Sequence, residues 1–245
     1  MPAPSMPDPS MPDPSMPDPS IPGPSVARPS APPPRPLPVL VLADVSGSMA
    51  EAGKIDVLNR SIAAMIRSFA DEDTVRGEIT VGVVTFGGGG AALHQAPAPA
   101  AEVVWEDMLP QGRTPLGEAL DLVNELLADE NVISRRAFTP TLVLVSDGLP
   151  NDDWQGSLER LLASPRGRKA VRLAVGVGQD MDEEAFDVLR AFIDDPVIQP
   201  VRADEAHLLS RYFSWVTMSV TARARSDRPN DTSHMSFDEL EDLLG

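Results

Sequence analysis

The feature that most limits the fold is residues 38–44 (PVLVLAD), a run that is apolar throughout and ends on a carboxylate. Strict alternation would mark a strand with one wet face. An unbroken apolar run suits a strand buried on both faces, as in parallel sheets covered by helices. The signature returns at 141–147 (TLVLVSD), and related runs occupy 79–86 and 171–177 (VRLAVGV). Between them lie helical patterns. Ile55, Leu58, Ile62, Met65, Ile66 and Phe69 recur at spacings of three and four, which makes one apolar stripe. Residues 115–128 read as a helix with Pro115 in its first turn. Further helices are expected at 156–163, 182–193 and 203–221, the last burying Leu209, Phe213, Val216 and Val220. Residues 91–95 suit a short edge strand after a glycine turn at 87–90, and 197–201 a last strand. Strands alternating with helices predict an α/β fold, a doubly wound and mostly parallel six-stranded sheet flanked by helices. Ligands of such sheets bind beyond the carboxyl ends of the strands, where the strand order reverses. Asp44 and Asp147 are therefore expected together at that edge.

Proline sets the boundary of this pattern. Residues 1–38 hold 16 of the 26 prolines, and 1–25 are pentapeptides: MPAPS, MPDPS three times, then IPGPS. Proline lacks the N–H that helices and central strands need, and the repeats offer no periodic apolar face. Residues 1–36 are expected to be a solvated, polyproline-II-biased tail. It suits a stiff spacer. Alternatively, Ser5, Ser10, Ser15, Ser20 and Ser25 form a phosphorylation array. A folded domain is expected over 37–222, then a polar, disordered linker over 223–235. Residues 236–245 differ: Ser236 and Glu239 fit a capping box, and Phe237, Leu240, Leu243 and Leu244 share one helical face. Ten residues are too few for a stable isolated helix. This acidic peptide reads either as a segment that folds on docking in a groove, through Phe237, Leu240 and Leu244, or as a frayed tail or a helix packed on its own domain.

The chain contains no cysteine and carries a formal net charge of −17. The first fact removes disulfides, thiolate metal sites and cysteine nucleophiles. The second disfavours electrostatic binding to nucleic acid. No apolar run is long enough to span a bilayer, and the amino terminus lacks a basic region followed by an apolar one. The expected location is cytoplasmic.

The strongest chemical signal is Asp44-Val45-Ser46-Gly47-Ser48-Met49. A carboxylate and two hydroxyls sit on alternate residues directly after a buried strand. In a turn wrapped around a point, alternate side chains converge on that point. All three are hard oxygen donors, suited to Mg²⁺ or Mn²⁺ with positions left for water or an outside ligand. The bland alternative is a serine-rich turn that caps the next segment. Two further loops favour the metal. Thr114 lies just before a helix in Gly112-Arg113-Thr114-Pro115, and Asp147 ends a later strand. In a doubly wound sheet these loops are neighbours, so Asp44, Ser46, Ser48, Thr114 and Asp147 form one candidate oxygen-lined site. Asp152 and Asp153 either extend its acidic rim or cap a helix. Trp105 and Trp154 suit packing. The 87–90 glycines lack the Lys-Ser/Thr and helix of a phosphate loop.

The DVSGS motif, the later threonine and the later aspartate together resemble a von Willebrand factor A (VWA) domain with its metal-ion-dependent adhesion site (MIDAS), over about residues 37–222. SDGLPNDDW (146–154), LADVSGSM and RTPLGEAL are similar to the bacterial TerY-like branch, linked with tellurium resistance and stress response. The resemblance implies that Ser46, Ser48 and Thr114 coordinate the cation, that Asp44 and Asp147 hold it largely through waters, and that a partner's carboxylate completes the shell. It implies Mg²⁺, with Mn²⁺ or Ca²⁺ as alternatives, and a binding module rather than an enzyme. TerY-like proteins are associated with kinases and phosphatases, and other bacterial relatives work beside AAA+ ATPases. With no cysteine in these 245 residues, the cysteine-rich carboxyl-terminal domain of some TerY-like proteins is not expected within them. Arg113 also departs, standing where a small residue is common; its charge repels a metal but suits an incoming carboxylate.

The sequence thus predicts a metal-dependent adaptor that binds a partner's acidic side chain. Three alternatives stay open: a partner of an AAA+ ATPase, a scaffold that binds through its tails around a structural metal, and a metal-dependent phosphohydrolase. The last lacks an evident nucleophile, base or phosphate clamp.

Overall fold

A computed structural model of the chain describes Met1 and residues 34–72, 77–179 and 181–231. The expectations for the proline-rich repeats and for the acidic peptide, with Phe237, Leu240 and Leu244, fall outside the described residues. From residue 34 onward the order is β1 (Arg35–Asp44), α1 (Lys54–Ala70), β2 (Gly77–Gly87), β3 (Gly90–Pro99), α2 (Leu116–Ala128), β4 (Thr141–Ser146), α3 (Trp154–Ala163), β5 (Val171–Val177), α4 (Glu183–Ile193), β6 (Val201–Ala203) and α5 (Ala206–Arg225). Two 3-10 segments, Gly47–Gly53 and Ala100–Glu102, complete it.

The strands form one six-stranded sheet in the order β3-β2-β1-β4-β5-β6. Only β3 runs antiparallel, hydrogen-bonded to β2. β1 is parallel to both β2 and β4. The chain leaves β1 toward β2 and β3, then crosses to β4 on the other side. The strand order therefore reverses between β1 and β4, which opens a crevice beyond their carboxyl ends.

The unbroken apolar run of β1 is explained by cover on both faces. Leu37, Val39, Val41 and Ala43 join a core with Ile62 and Met65 of α1 and Phe213 and Val216 of α5. Leu40 and Leu42 point the other way, into a core with Leu120 of α2, Leu161 of α3 and Leu189 of α4. Burying one such side chain contributes about 2 kcal/mol.

Strand β1 begins at Arg35, so residues 35 and 36 pair with β2 and belong to the sheet rather than to the expected tail, and α3 begins two residues early at Trp154. Three further elements differ from expectation, each for a local reason. β3 runs on to Pro99, past Pro97, because an edge strand needs only one of its two hydrogen-bonding sides. β6 starts at Val201 rather than 197. The Asp195 carboxylate accepts from the Val197 and Ile198 N–H groups at 2.8 and 3.1 Å, which bends that stretch into a turn. Pro200 then has no N–H to offer a ladder. The carboxyl-terminal boundary moves as well. α5 continues to Arg225, so residues 223–225 are helix and not linker. Arg223 is buried, and its guanidinium donates to Thr141 Oγ1 at 2.6 Å, the Thr139 carbonyl at 2.8 Å and the Pro229 carbonyl at 3.0 Å. Burial lowers its pKa to about 10, so it stays charged at neutral pH. Asn230 adds a bond from the Thr139 N–H at 2.8 Å, tying residues 223–230 to the amino end of β4.

Arg223→Met is expected to lower stability by about 2–3 kcal/mol, since it strands several buried acceptors; urea unfolding measures this. Tyr212 is fully buried, and its hydroxyl has no hydrogen-bond partner among the described residues. Tyr212→Phe is therefore expected to be neutral or to stabilise by up to about 1 kcal/mol in the same experiment.

Candidate metal centre

β1 delivers Asp44 to the crevice with no solvent exposure. Its Oδ1 accepts from the Ser46 backbone N–H at 2.8 Å, and its Oδ2 from Ser146 Oγ at 2.7 Å. The turn after β1 brings Ser46 Oγ within 3.0 Å of Ser48 Oγ. Ser48 Oγ donates to Asp147 Oδ1 at 2.7 Å. Asp147 Oδ2 accepts from the Lys54 ammonium at 2.8 Å. Four of the five predicted ligands are thus joined in one hydrogen-bonded series, Asp44–Ser46–Ser48–Asp147, across the crevice between β1 and β4, the first link through the Ser46 N–H and the other two between side-chain oxygens.

Thr114 lies on the adjoining loop, and no hydrogen bond joins its hydroxyl to the other four. That loop is held to the β1 turn through backbone: Gly47 N–H donates to the Gly112 carbonyl at 3.0 Å and Gln111 N–H to the Val45 carbonyl at 2.6 Å. Asn151 clamps Thr114 from the other side. Its N–H donates to the Thr114 carbonyl at 3.1 Å, and its side-chain amide, turned to satisfy both, pairs with the Thr114 N–H and carbonyl at 3.3 Å each. The half-buried Thr114 hydroxyl itself has no partner among the described residues.

The glycines at 87–90 explain how the loop fits. Gly112 has φ +75°, and a Cβ there would lie 2.1 Å from Gly88 Cα. A Cβ on Gly87 would lie 2.6 Å from Val45 Cγ2, and one on Gly88 2.8 Å from Gln111 Cγ. These glycines let the Thr114 loop cross the β2–β3 turn at backbone contact. Sequence reading dismissed them as a phosphate loop but missed this use; their position opposite another loop glycine is visible only in the fold.

The remaining candidates are placed as follows. Asp152 accepts from the Gly117 and Glu118 N–H groups at 3.0 Å each, so it caps the amino end of α2 from another loop. Asp153 caps α3, accepting from the Gly156 N–H at 3.3 Å. Arg113 is exposed beside the crevice. Trp154 packs against the α2–α4 core, and Trp105 against the α1–α5 core with its ring edge to His94. Lys54 is the site residue that sequence reading missed. A lysine opening a helix gives no signal by itself.

The donor set fits a hard divalent cation. Burial pushes the Asp44 carboxyl up to about 6, opposed by its bonds from Ser46 and Ser146 and reinforced by the nearby Asp147 charge. The ionised carboxylate is thus under-compensated, and a cation beside it would relieve the strain. Among the described residues no group of three or more His, Cys, Asp or Glu forms. The donors are hydroxyls and two carboxylates, which suits Mg²⁺, Mn²⁺ or Ca²⁺.

Comparison with known proteins agrees with this geometry. Residues 39–149 match the family described as von Willebrand factor type A domain. The match covers a little under half of the chain, and the six-stranded sheet with five helices is the VWA fold. The pilus adhesin SpaC from Lactobacillus rhamnosus GG, in its open conformation, superposes with a TM-score of 0.63 at 13% identity, over 78% of this chain and 30% of that one. A von Willebrand factor type A protein from Catenulispora acidiphila gives 0.56 at 16%, over 76% and 42%. Proximal thread matrix protein 1 from the mussel byssus, with a zinc-occupied MIDAS motif, gives 0.56 at 16%, over 77% and 48%. The chain thus spans less than half the length of each of these three structures, and at such identities the likeness is one of fold. No curated protein matches the sequence.

The raised Asp44 pKa has a stability consequence. Its folded value, about 6, lies above its ordinary 3.8, so the native state binds this proton more tightly than the unfolded chain. The resulting stabilisation is full below pH ~4 and is lost as pH rises through 6. The metal-free protein is expected to lose about 1 kcal/mol from this group between pH 5 and 7.5. Asp44→Asn should flatten that slope in urea titrations with EDTA, and saturating Mg²⁺ should reverse it.

Proposed function

We propose that this protein is a cation-dependent protein-binding module and not an enzyme. One observation carries the reading: the buried Asp44 accepts from the Ser46 N–H, and the Ser46 hydroxyl is joined through Ser48 to Asp147, at the crevice where the strand order reverses. Ser46, Ser48 and Thr114 would hold a divalent cation, Mg²⁺ by preference, and Asp44 and Asp147 would anchor its water shell. A bound cation supplies a concentrated positive charge that a partner's carboxylate joins by displacing a water. The chain's own groups set the approach. Asn151 and Gly112 fix the Thr114 loop, and exposed Arg113 stands beside the opening to pair with an acidic side chain. For a chain of net charge −17, a cation at the contact also offsets repulsion from an acidic ligand.

The likeness of 146–154 and 113–120 to TerY-like sequences supports a place in a cytoplasmic stress-response or tellurium-resistance system, with a kinase, phosphatase or AAA+ ATPase as partner. Among the described residues no helix is long and apolar enough to cross a membrane.

Affinity capture from native lysate with the full chain tests the reading. Partner retention is expected in Mg²⁺ and loss is expected in EDTA. Thr114→Ala should reduce retention at least tenfold while its circular dichroism matches wild type. Equal capture by wild type and Thr114→Ala in both buffers would refute the metal-bridged contact and leave the tails as the binding elements.

A further inference from the structure

Lys54 is the first residue of α1, where a positive side chain opposes the helix dipole. The site nevertheless goes to some length to place it. Ala52 and Gly53 take left-handed conformations, φ 51° and 70°, and so turn the chain into α1 at Lys54; for alanine that conformation carries strain. Beyond β5, Gly178 has φ +102°, and a Cβ there would lie 2.9 Å from Lys54 Cε and 3.2 Å from Nζ. The far end of Lys54 therefore packs closely against Gly178, where a Cβ would oblige it to shift. It ends on Asp147 Oδ2 at 2.8 Å, with the lysine side chain 15% and the aspartate side chain 1% exposed. Glu51, Asp204 and Glu205 line the adjoining cleft of about 320 Å³ that Lys54 itself helps to wall. The ammonium turns to Asp147 rather than to these more accessible carboxylates.

We infer that Lys54 is the site's built-in counter-cation, a positive charge that holds Asp147 while no divalent ion is present and weakens the binding of that ion when it arrives. The inference rests on the metal reading above. With Lys54 paired to Asp147, a divalent ion meets one net negative charge from Asp44 and Asp147 rather than two. Asp147 is also split by function. Oδ1 stays with Ser48 on the side of the oxygen cluster, and Oδ2 is occupied by the ammonium. A cation bound under these terms is held loosely enough to exchange and keeps more of its charge for an incoming carboxylate. The acids of the adjoining cleft give the ammonium other partners when the ion draws on Asp147.

The test titrates wild type, Lys54→Met, Lys54→Gln and Lys54→Arg with Mn²⁺, following free Mn²⁺ by its EPR signal, and records thermal midpoints in EDTA and in saturating Mn²⁺. Removing the charge should tighten Mn²⁺ binding about tenfold or more in both Met and Gln variants. It should also lower the EDTA midpoint while enlarging the gain on adding Mn²⁺. Lys54→Arg should keep affinity within about threefold of wild type, since it keeps the unit charge beside Asp147. Wild type that binds Mn²⁺ while both neutral variants bind it no tighter would overturn this proposal alone. Failure of every protein to bind Mn²⁺ would overturn the metal centre and this proposal together. Binding by the neutral variants only would support Lys54 as a cation that occupies the site by itself.

Discussion

A carboxylate at the end of the central strand, with no access to solvent, is the constraint around which the rest is arranged. Asp44 sits where β1 meets the crevice, and burial alone would favour its protonated form. Each neighbouring element supplies part of the answer. The β1 turn folds back so that the Ser46 N–H meets one oxygen, and β4 ends on Ser146, which meets the other. These two donors leave the carboxylate only partly compensated, so its surroundings must provide positive charge or accept a proton. A parallel sheet with helices on both faces makes such a position available. It brings the carboxyl ends of β1 and β4 side by side while covering the strands themselves.

Electrostatically, the crevice is a balance among few groups. Asp44 and Asp147 contribute negative charge, and Lys54 contributes positive charge from a helix end that disfavours it. The neighbouring loop carboxylates take little direct part. Asp152 and Asp153 lie close in sequence to Asp147 but are bound to the amino ends of α2 and α3, where backbone N–H groups absorb their charge. An acidic count along the sequence would therefore overstate the negative potential at the site.

Much of the fold was legible because its strands are apolar without alternation and its helices alternate with them. Residues 38–44 and 141–147 marked both the central strands and the carboxylates at their ends. The convergence of Asp44, Ser46, Ser48 and Asp147 followed from the alternate spacing in the turn after β1 together with the doubly wound strand order. What was not legible depends on contacts distant in sequence. Asp195-Pro196 and Pro200 are turn and breaker signals that the strand expected from 197 overlooked; the two N–H groups that Asp195 holds appear only in the fold. Arg223 reads as an ordinary basic residue until Thr139, Thr141 and Pro229 close around it. Lys54 reads as a helix residue until Asp147 and Gly178 are brought to it. Thr114 was readable as a candidate, but the glycines that seat its loop were not.

The crossing of Gly112 over Gly88 has a consequence for ion choice. Where two loops rest on each other backbone to backbone, their separation is fixed by atomic radii, which barely compress, rather than by side chains, which can repack. Gly88 backs the threonine loop, and the Gly47–Gly112 and Gln111–Val45 backbone bonds tie that loop to the hydroxyl-bearing β1 turn, so the hydroxyls are held at a preset gauge. An ion that demands longer bonds cannot widen that gauge without breaking the Gln111–Val45 and Gly47–Gly112 bonds. The difference in radius between candidate ions must then be taken up by water molecules in the shell. Discrimination at this crevice would come from how readily each ion gives up water.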